Sequence, residues 1–441
     1  MGRLHTGTCL PMWAFTLLLC ASDARAQPLY FPPLGPGGTW ETLDPASLNW
    51  CPDRIDSLYA YLDHHNTKAF IVLKDGRIVL EHYVGTFTQD SLWYWASAGK
   101  TLTSTLVGIA QEEGYLSIED PTSNYLGAGW TSEAPAQEAQ ITVRNQLTMT
   151  SGLNDAGADP YCTDPSCLTY LADAGTRWAY HNGPYTLLDQ VIAQATGQPF
   201  GQYFNTKLRN PIGMNGLWLQ VDENNLYFST ARSMARFGLL ALNRMVWAGD
   251  TILHDTAYFH AATTPSQNIN LSYGYLWWLN GQPTYMLPQT QFVFQGPLMP
   301  DAPLDAYNAL GKNDQLINVS PSTGLVLVRM GNAAEESLQV STYFNNIIWQ
   351  YMNALDCGMG INETQAAAGM VLAPNPASSP VRISLPGGMQ PEQTEICDSQ
   401  GRTVLESHRN AALDVAGLAP GVYVVKVASG ARRYVSRLVK E

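Results

Sequence analysis

Apolar and polar residues alternate through AFIVLKDGRIVLEHYVG (residues 69–85), and Asp75-Gly76 separates two apolar runs. A period of two interrupted by a turn dipeptide predicts a β-hairpin. The period then changes. From about 98 to 113, Leu102, Leu106, Ile109 and Ala110 recur at helical spacing, and Gly114 stands where a helix C-cap is expected. The stretch from about 140 to 265 reads as helices and loops, with TLLDQVIAQATG and STARSMARFGLLALNRM as the clearest helical segments. Strand patterns return in YGYLWWLN (273–280) and LINVSPSTGLVLVRMG (316–331), and a last helix is expected over about 336–354. Strands near both ends of this region, with helices between them, predict one sheet built from both ends around a helical insertion.

The texture changes near 360–368, where small residues and Pro give way to short alternating strands up to Glu441. Five segments follow: a signal peptide (1–26), a Pro/Gly-rich leader (27–44), a main domain (45–360), a linker (361–370) and a small β domain (371–441). The signal rests on Arg3, the apolar run LPMWAFTLLLCA and the Ala24-Arg25-Ala26 cleavage pattern. That run is too short to span a bilayer. A lipid anchor at Cys20 is the weaker reading, because LLLC lacks the small residues that usually precede a lipidated Cys.

Composition narrows the class. The chain has 441 residues, 45% of them hydrophobic and 14% charged, which fits a folded protein of enzyme size. Its net charge of −13 argues against nucleic acid as a partner. Export permits disulfides. Cys162 and Cys167 flank an Asp-Pro turn, which suggests a local bridge, whereas the sequence does not decide whether Cys51 pairs with Cys357. No CxxC pair or HExxH helix is present, so no metal and no cofactor are expected.

The chemistry centres on ASAGK (96–100). A Ser hydroxyl needs a neighbouring base to become a nucleophile. Positions i and i+3 share a helix face, so Lys100 would lie beside Ser97. Desolvation, here expected from the aromatic run Trp93-Tyr94-Trp95, would lower the lysine's pKa and make it a base. Tyr180 and Asn182 stand in a Gly/Pro-bounded loop, where the phenol can relay a proton and the amide can orient a carbonyl. GKNDQLINVSPSTG (311–324) enters a strand and can present a backbone N–H to an oxyanion. Each piece alone also fits a bland reading: an N-cap with a first-turn Lys, a packed Tyr, a polar loop.

As a set, Ser97-x-x-Lys100, Tyr180-x-Asn182 and the 311–324 segment resemble the penicillin-binding-protein-like serine hydrolases, the group of class C β-lactamases and related esterases and peptidases. ITVRNQLTMTSGL (141–153), NPIGMNGLWL and STARSMARFGLLAL resemble further landmarks of that family. The resemblance covers roughly residues 45–355. It implies an α/β fold with an antiparallel sheet flanked by helices and a helical subdomain. It also implies Ser97 as nucleophile, Lys100 and Tyr180 as the proton-transfer pair, and Asn182 as an orienting group. The third box departs from the family's Lys-Thr-Gly or His-x-Gly. In the register adopted here Lys312 fills the basic position and the Gln315 N–H completes the oxyanion hole. Asp314 would then put a carboxylate beside the substrate and disfavour anionic β-lactams. Trp277 and Trp278 read as core rather than substrate platform.

The tail resembles the C-terminal sorting domain of type IX secretion. The resemblance lies in Pro374-Asn375-Pro376, Asp398-x-x-Gly401-Arg402, Leu418-Ala-Pro-Gly421-Val-Tyr423 and the basic ending. It implies a β-sandwich of about seven short strands, the outer-membrane secretion machinery as partner, and secretion or surface attachment, with the periplasm as alternative. The alternative for this segment is a generic β accessory or carbohydrate-binding module. The function expected is hydrolysis of an ester or amide in a small-molecule or peptide-like substrate, through a Ser97 acyl-enzyme. The alternatives are a β-lactamase or D-Ala-D-Ala carboxypeptidase, an open-chain amide hydrolase like those acting on aminohexanoate oligomers, and a binding protein on an inactive scaffold.

Overall fold

The computed structural model describes residues 29–34, 39–157, 159–334, 341–357, 370–398, 402–430 and 432–440. The expected signal peptide lies outside these residues, as does the expected linker apart from its last residue. Among the described residues no helix is long and apolar enough to cross a membrane. Contacts divide the chain into two units, Met1–Asp356 and Cys357–Glu441.

The first unit is organised around a six-stranded antiparallel sheet. In chain order its strands are β1 (Thr67–Lys74), β2 (Arg77–Tyr83), β6 (Trp278–Leu279), β7 (Tyr307–Gly311), β8 (Gln315–Ser320) and β9 (Leu325–Gly331). Their spatial order is β2-β1-β9-β8-β7-β6, so the two ends of the unit do build one sheet. The β1–β2 turn places Asp75 at φ 48° and Gly76 at φ 86°, the left-handed pair that suits a tight hairpin. All six residues of β8 are buried, because helices cover both faces. Helix α5 (Ala231–Leu242) lies against the Ile317 and Val326 side, close enough that a Cβ on Gly238 would meet Val326 at 2.4 Å. Helices α1 (Pro52–His64) and α6 (Ser341–Asn353) cover the opposite side, where Trp349 donates to Asn318 at 3.0 Å.

The remaining elements used below are β3 (Trp93–Tyr94), α2 (Lys100–Glu112), α3 (Asn182–Thr186), α4 (Leu188–Thr196), β4 (Leu217–Val221) and β5 (Asn224–Ser229). The expected strand over 273–280 shrinks to Trp278–Leu279, with Tyr273 bridging back to Trp278. The leader does not run free where it is described. Trp40 is buried and donates to the Gly76 carbonyl at 2.8 Å, and Tyr30 N–H donates to the Asp75 carbonyl. Cys162 and Cys167 are joined, and Cys51 and Cys357 are also in disulfide form.

In the second unit the described residues form a three-stranded and a four-stranded antiparallel sheet, seven short strands together. Val381, Ile396, Val425, Val427 and Leu438 are buried in a core of their own. Arg402 folds back on Asp398, donating to its carboxylate through both its backbone N–H and its guanidinium.

Candidate active site

A 3₁₀ turn, Ala96–Gly99, carries Ser97 into the first residue of α2. The turn is held from behind. Trp95 is fully buried, its backbone N–H donates to the Tyr227 carbonyl, and its indole donates to Ser229 Oγ at 2.7 Å. Ala96 has φ 47°, a left-handed conformation that a non-glycine residue holds only when its surroundings impose it. On the open side, β7 ends at Gly311 against the same turn. A Cβ on Gly311 would meet the Trp95 carbonyl oxygen at 2.4 Å and Ala98 N at 2.9 Å, so this position needs glycine for close approach.

Helical spacing does what the sequence requires. Lys100 Nζ donates to Ser97 Oγ at 3.0 Å. Lys100 is only 5% exposed. Burial pushes its pKa down to about 7, against the opposing pull of Asp189. The aromatic groups around the ammonium are Tyr185, 4.1 Å from Nζ to the ring centre, and Tyr180, at 5.3 Å. They take the place of the expected Trp93-Tyr94-Trp95 run, which is spent on β3 and on anchoring the turn. Tyr180 is hydrogen-bonded to Ser97, but burial dominates and holds its phenol well above the usual range, so it stays protonated. Its ring stacks on Trp278 with centroids 5.8 Å apart. His181, next to it, is buried, and desolvation lowers its pKa to about 4, leaving the imidazole neutral.

Ser97 opens on a cleft with two arms, and Tyr161, Asn182 and Lys312 also line both. One arm, about 460 Å³, runs past Lys100 and Tyr185 to Asp159, Asp189, Asp222 and Glu223. The other, about 340 Å³, is walled by Pro160, Tyr180, Trp278, Pro288 and Leu310. Trp278 is therefore both core and wall, whereas Trp277 is wholly core and stacks on Phe237.

The third box needs correcting. Gln315 lies inside β8 with no exposure, paired across the ladder with Gly311. Its amide donates to the Asn313 and Gly331 carbonyls and accepts from Gly331 N–H. It fixes the turn from inside and does not reach the cleft. Asp314 is also turned inward. It is 5% exposed, and its carboxylate accepts from Ala334 N–H at 2.9 Å. Asn313 and Asp314 both have positive φ (60° and 58°), a conformation their short polar side chains tolerate. Buried Arg329 donates to both of their carbonyls. Of this segment Lys312 and Gly311 reach the cleft, beside Leu310 of β7.

Sequence reasoning missed Gly311, Tyr185, Asp189 and Asn225 at this site. Glycine inside a strand was the available signal for the first. Asn225 donates to Asp189 at 2.7 Å, and Asp189 is pushed up to about 7, mainly by burial. Among the described residues no group of His, Cys, Asp and Glu is arranged to hold a metal ion.

A β-lactamase family model matches residues 60–343, and a secretion-system C-terminal sorting-domain model matches residues 371–441. PbpX of Bacillus subtilis (strain 168), named for the penicillin-binding proteins, is 29% identical over 159 residues, 33% of this chain and 39% of that protein. The 6-aminohexanoate-dimer hydrolase of Paenarthrobacter ureafaciens is 22% identical over 227 residues, 45% of this chain and 58% of its own. Both matches thus span less than two thirds of the relative's length. A penicillin-binding protein homologue from Caulobacter crescentus shares the fold, with a TM-score of 0.54 at 14% identity over 69% of this chain and 98% of that one. With the sheet, the helical insertion and the family match covering most of the first unit, the chain belongs to the β-lactamase family and ends in a secretion-system C-terminal sorting domain.

Proposed function

We propose that this protein is an exported serine hydrolase that cleaves an ester or amide through an acyl-enzyme on Ser97. The observation that carries the reading is the 3.0 Å contact between Lys100 Nζ and Ser97 Oγ, made by a lysine that burial has brought to about 7. Near neutral pH half of such a lysine is uncharged and can take the Ser97 proton as Oγ bonds to the substrate carbonyl carbon. Tyr180, held protonated, is placed to pass a proton to the leaving oxygen or nitrogen as its bond to that carbon breaks. Lys100 then returns the proton to Tyr180. Asn182 borders both arms and orients the acyl carbonyl. The Ser97 N–H and the end of β7 supply the oxyanion donors. In deacylation water bonds to the acyl carbon with Lys100 again as base, the carbon–Oγ bond breaks, and Lys100 returns the proton to Ser97 Oγ as the acid leaves.

The arms favour a substrate class. The wall of Tyr180, Trp278 and Leu310 suits an apolar group, and four carboxylates on the opposite side disfavour an anionic one. Neutral esters and amides are therefore preferred to penicillins, on the strength of the acidic arm rather than of Asp314. The name of the Paenarthrobacter relative keeps open-chain amides in the class. Ser97→Ala tests the reading: fluorophosphonate labelling of the wild type, and turnover of a short-chain ester, a chromogenic cephalosporin, an open-chain amide and a D-Ala-D-Ala peptide. Loss of the nucleophile is expected to cost about 10⁴- to 10⁶-fold in kcat. Wild-type turnover by Ser97→Ala would sink the mechanism.

A further inference from the structure

One carboxylate in the acidic arm has no part in the reaction just described. Asp189 stands in the first turn of α4, four residues after Tyr185, and lines the same arm as Lys100. Helix α4 packs on α2, the helix that Lys100 begins. From the other side of the arm, Asn225 of β5 holds the carboxylate through a 2.7 Å hydrogen bond. The Tyr185 ring, one helical turn before Asp189, lies 4.1 Å from Lys100 Nζ.

We propose that Asp189 is a positioning residue for Lys100. Fixed by Asn225, it supplies the negative charge against which the ammonium keeps or yields its proton. The inference rests on the reading of Lys100 as the base. The neighbours of Lys100 support it by what they lack. Ser97, Tyr180 and Tyr185 are neutral, and the faces of the two rings attract an ammonium without carrying a net charge. Lys312 is a second cation on the cleft, and Asp159, Asp222 and Glu223 complete the acidic wall. Of these carboxylates, Asp189 is the one whose charge registers at Lys100, opposing burial. The influence is mutual. Lys100 lies at about 7, and Asp189, raised by burial and lowered by Asn225 and Lys100, also lies at about 7.

The direction follows. An anion beside Lys100 favours the charged ammonium, so its removal lets burial pull the lysine lower. A base well below the working pH is always free but weak, and a base near it is both available and effective. Asp189 thus keeps Lys100 matched to neutral pH.

The test reads Lys100 directly. The full chain is treated with trace acetic anhydride across pH 5–10, and acetylation at Lys100 is quantified by mass spectrometry, since only the free amine reacts. In Asp189→Asn the midpoint is expected to fall by roughly 0.5–1 pH unit. In Asn225→Ala it should fall less but in the same direction, because the lost hydrogen bond favours the protonated carboxyl. Asp189→Glu, which restores the charge, should return it towards wild type. The acid limb of kcat/KM should move with the midpoint. A folded Asp189→Asn with an unmoved midpoint and activity lost evenly across pH overturns the proposal. If that variant does not fold, an unmoved midpoint in Asn225→Ala overturns it equally. The midpoint needs no turnover, so a shift in a protein that hydrolyses nothing would sink the hydrolase reading while still showing that Asp189 sets the proton on Lys100.

Discussion

Burying an ammonium is among the costliest things a fold can do with a side chain. Lys100 is nonetheless 5% exposed, with its hydrogen bond to Ser97 and two aromatic faces for company. The cost is reduced by giving up the charge. Desolvation brings the lysine to about 7, so near neutral pH it exists in both forms. The sign for activity is direct. The free amine is the base, so kcat/KM on a neutral ester should rise with pH through about 7 and level off above it. Tyr180 adds no acid limb there, because its phenol is held protonated well above that range. Lys100→Met removes the base without returning a charge to the pocket, and general-base loss is expected to lower kcat by about 10²- to 10⁴-fold and abolish the limb. A pH–rate profile of both proteins checks this. A limb that survives in Lys100→Met would assign it to another group.

At the scale of elements, the site depends on how closely a strand end, a turn and a hairpin approach one another. Strand β7 meets the Ser97 turn at Gly311, where a methyl would press on the Trp95 carbonyl and Ala98 N. Gly311→Ala should therefore push the strand off the turn, and a displacement near 1 Å is expected to cost about 10²-fold in kcat/KM. Melting should change far less than catalysis, because the rest of β7 keeps its ladder to β8. Equal losses in both would make Gly311 a folding position only. The tip of the β4–β5 hairpin brings Asp222 and Glu223 to the acidic arm. At roughly 8 Å with an effective dielectric near 20, each charge opposes an anionic substrate by about 2 kcal/mol before salt screens it. Asp222→Asn with Glu223→Gln should raise the cephalosporin-to-ester ratio of kcat/KM roughly three- to tenfold, and more at low salt. An unchanged ratio would mean that the substrate lies wholly in the apolar arm. What the sequence made legible follows the range of the interaction. Ser97 and Lys100 meet because three residues of one helix bring them together, and the β1–β2 hairpin follows from a period of two around Asp75-Gly76. The third box was misread because its register hangs on a turn whose Asn313 and Asp314 both take positive φ. Which side chains then turn inward is decided by Arg329 and Gly331, remote in sequence. Asp189 was invisible for the same reason. Its charge reads as a solvated position in an apolar helix until α4 packs on α2.

On the scale of the whole molecule, charge and cohesion are divided between the two units. From residue 366 on there are eight Lys and Arg against six Asp and Glu, a net +2, so the part before it carries −15 to give the chain's net −13. Each unit also buries its own core, the first around the six-stranded sheet and the second around Val381, Ile396, Val425 and Leu438. The described residues that line the cleft fall between Tyr94 and Thr342, all within the first unit. A unit with its own core and its own site should not need the other to fold or to react. Deletion of residues 371–441 is therefore expected to leave the melting temperature of the hydrolase unit within a few degrees and its kcat/KM on a neutral ester unchanged. Export past the outer membrane should be lost, because the segment that matches a secretion-system sorting domain is gone. Fractionation of a host that carries this secretion route, with the ester assay on each fraction, separates the two effects. Active enzyme retained inside the envelope is the expected result. Normal release of the truncated chain, with weakened binding to a polymer, would instead make the tail an accessory binding module.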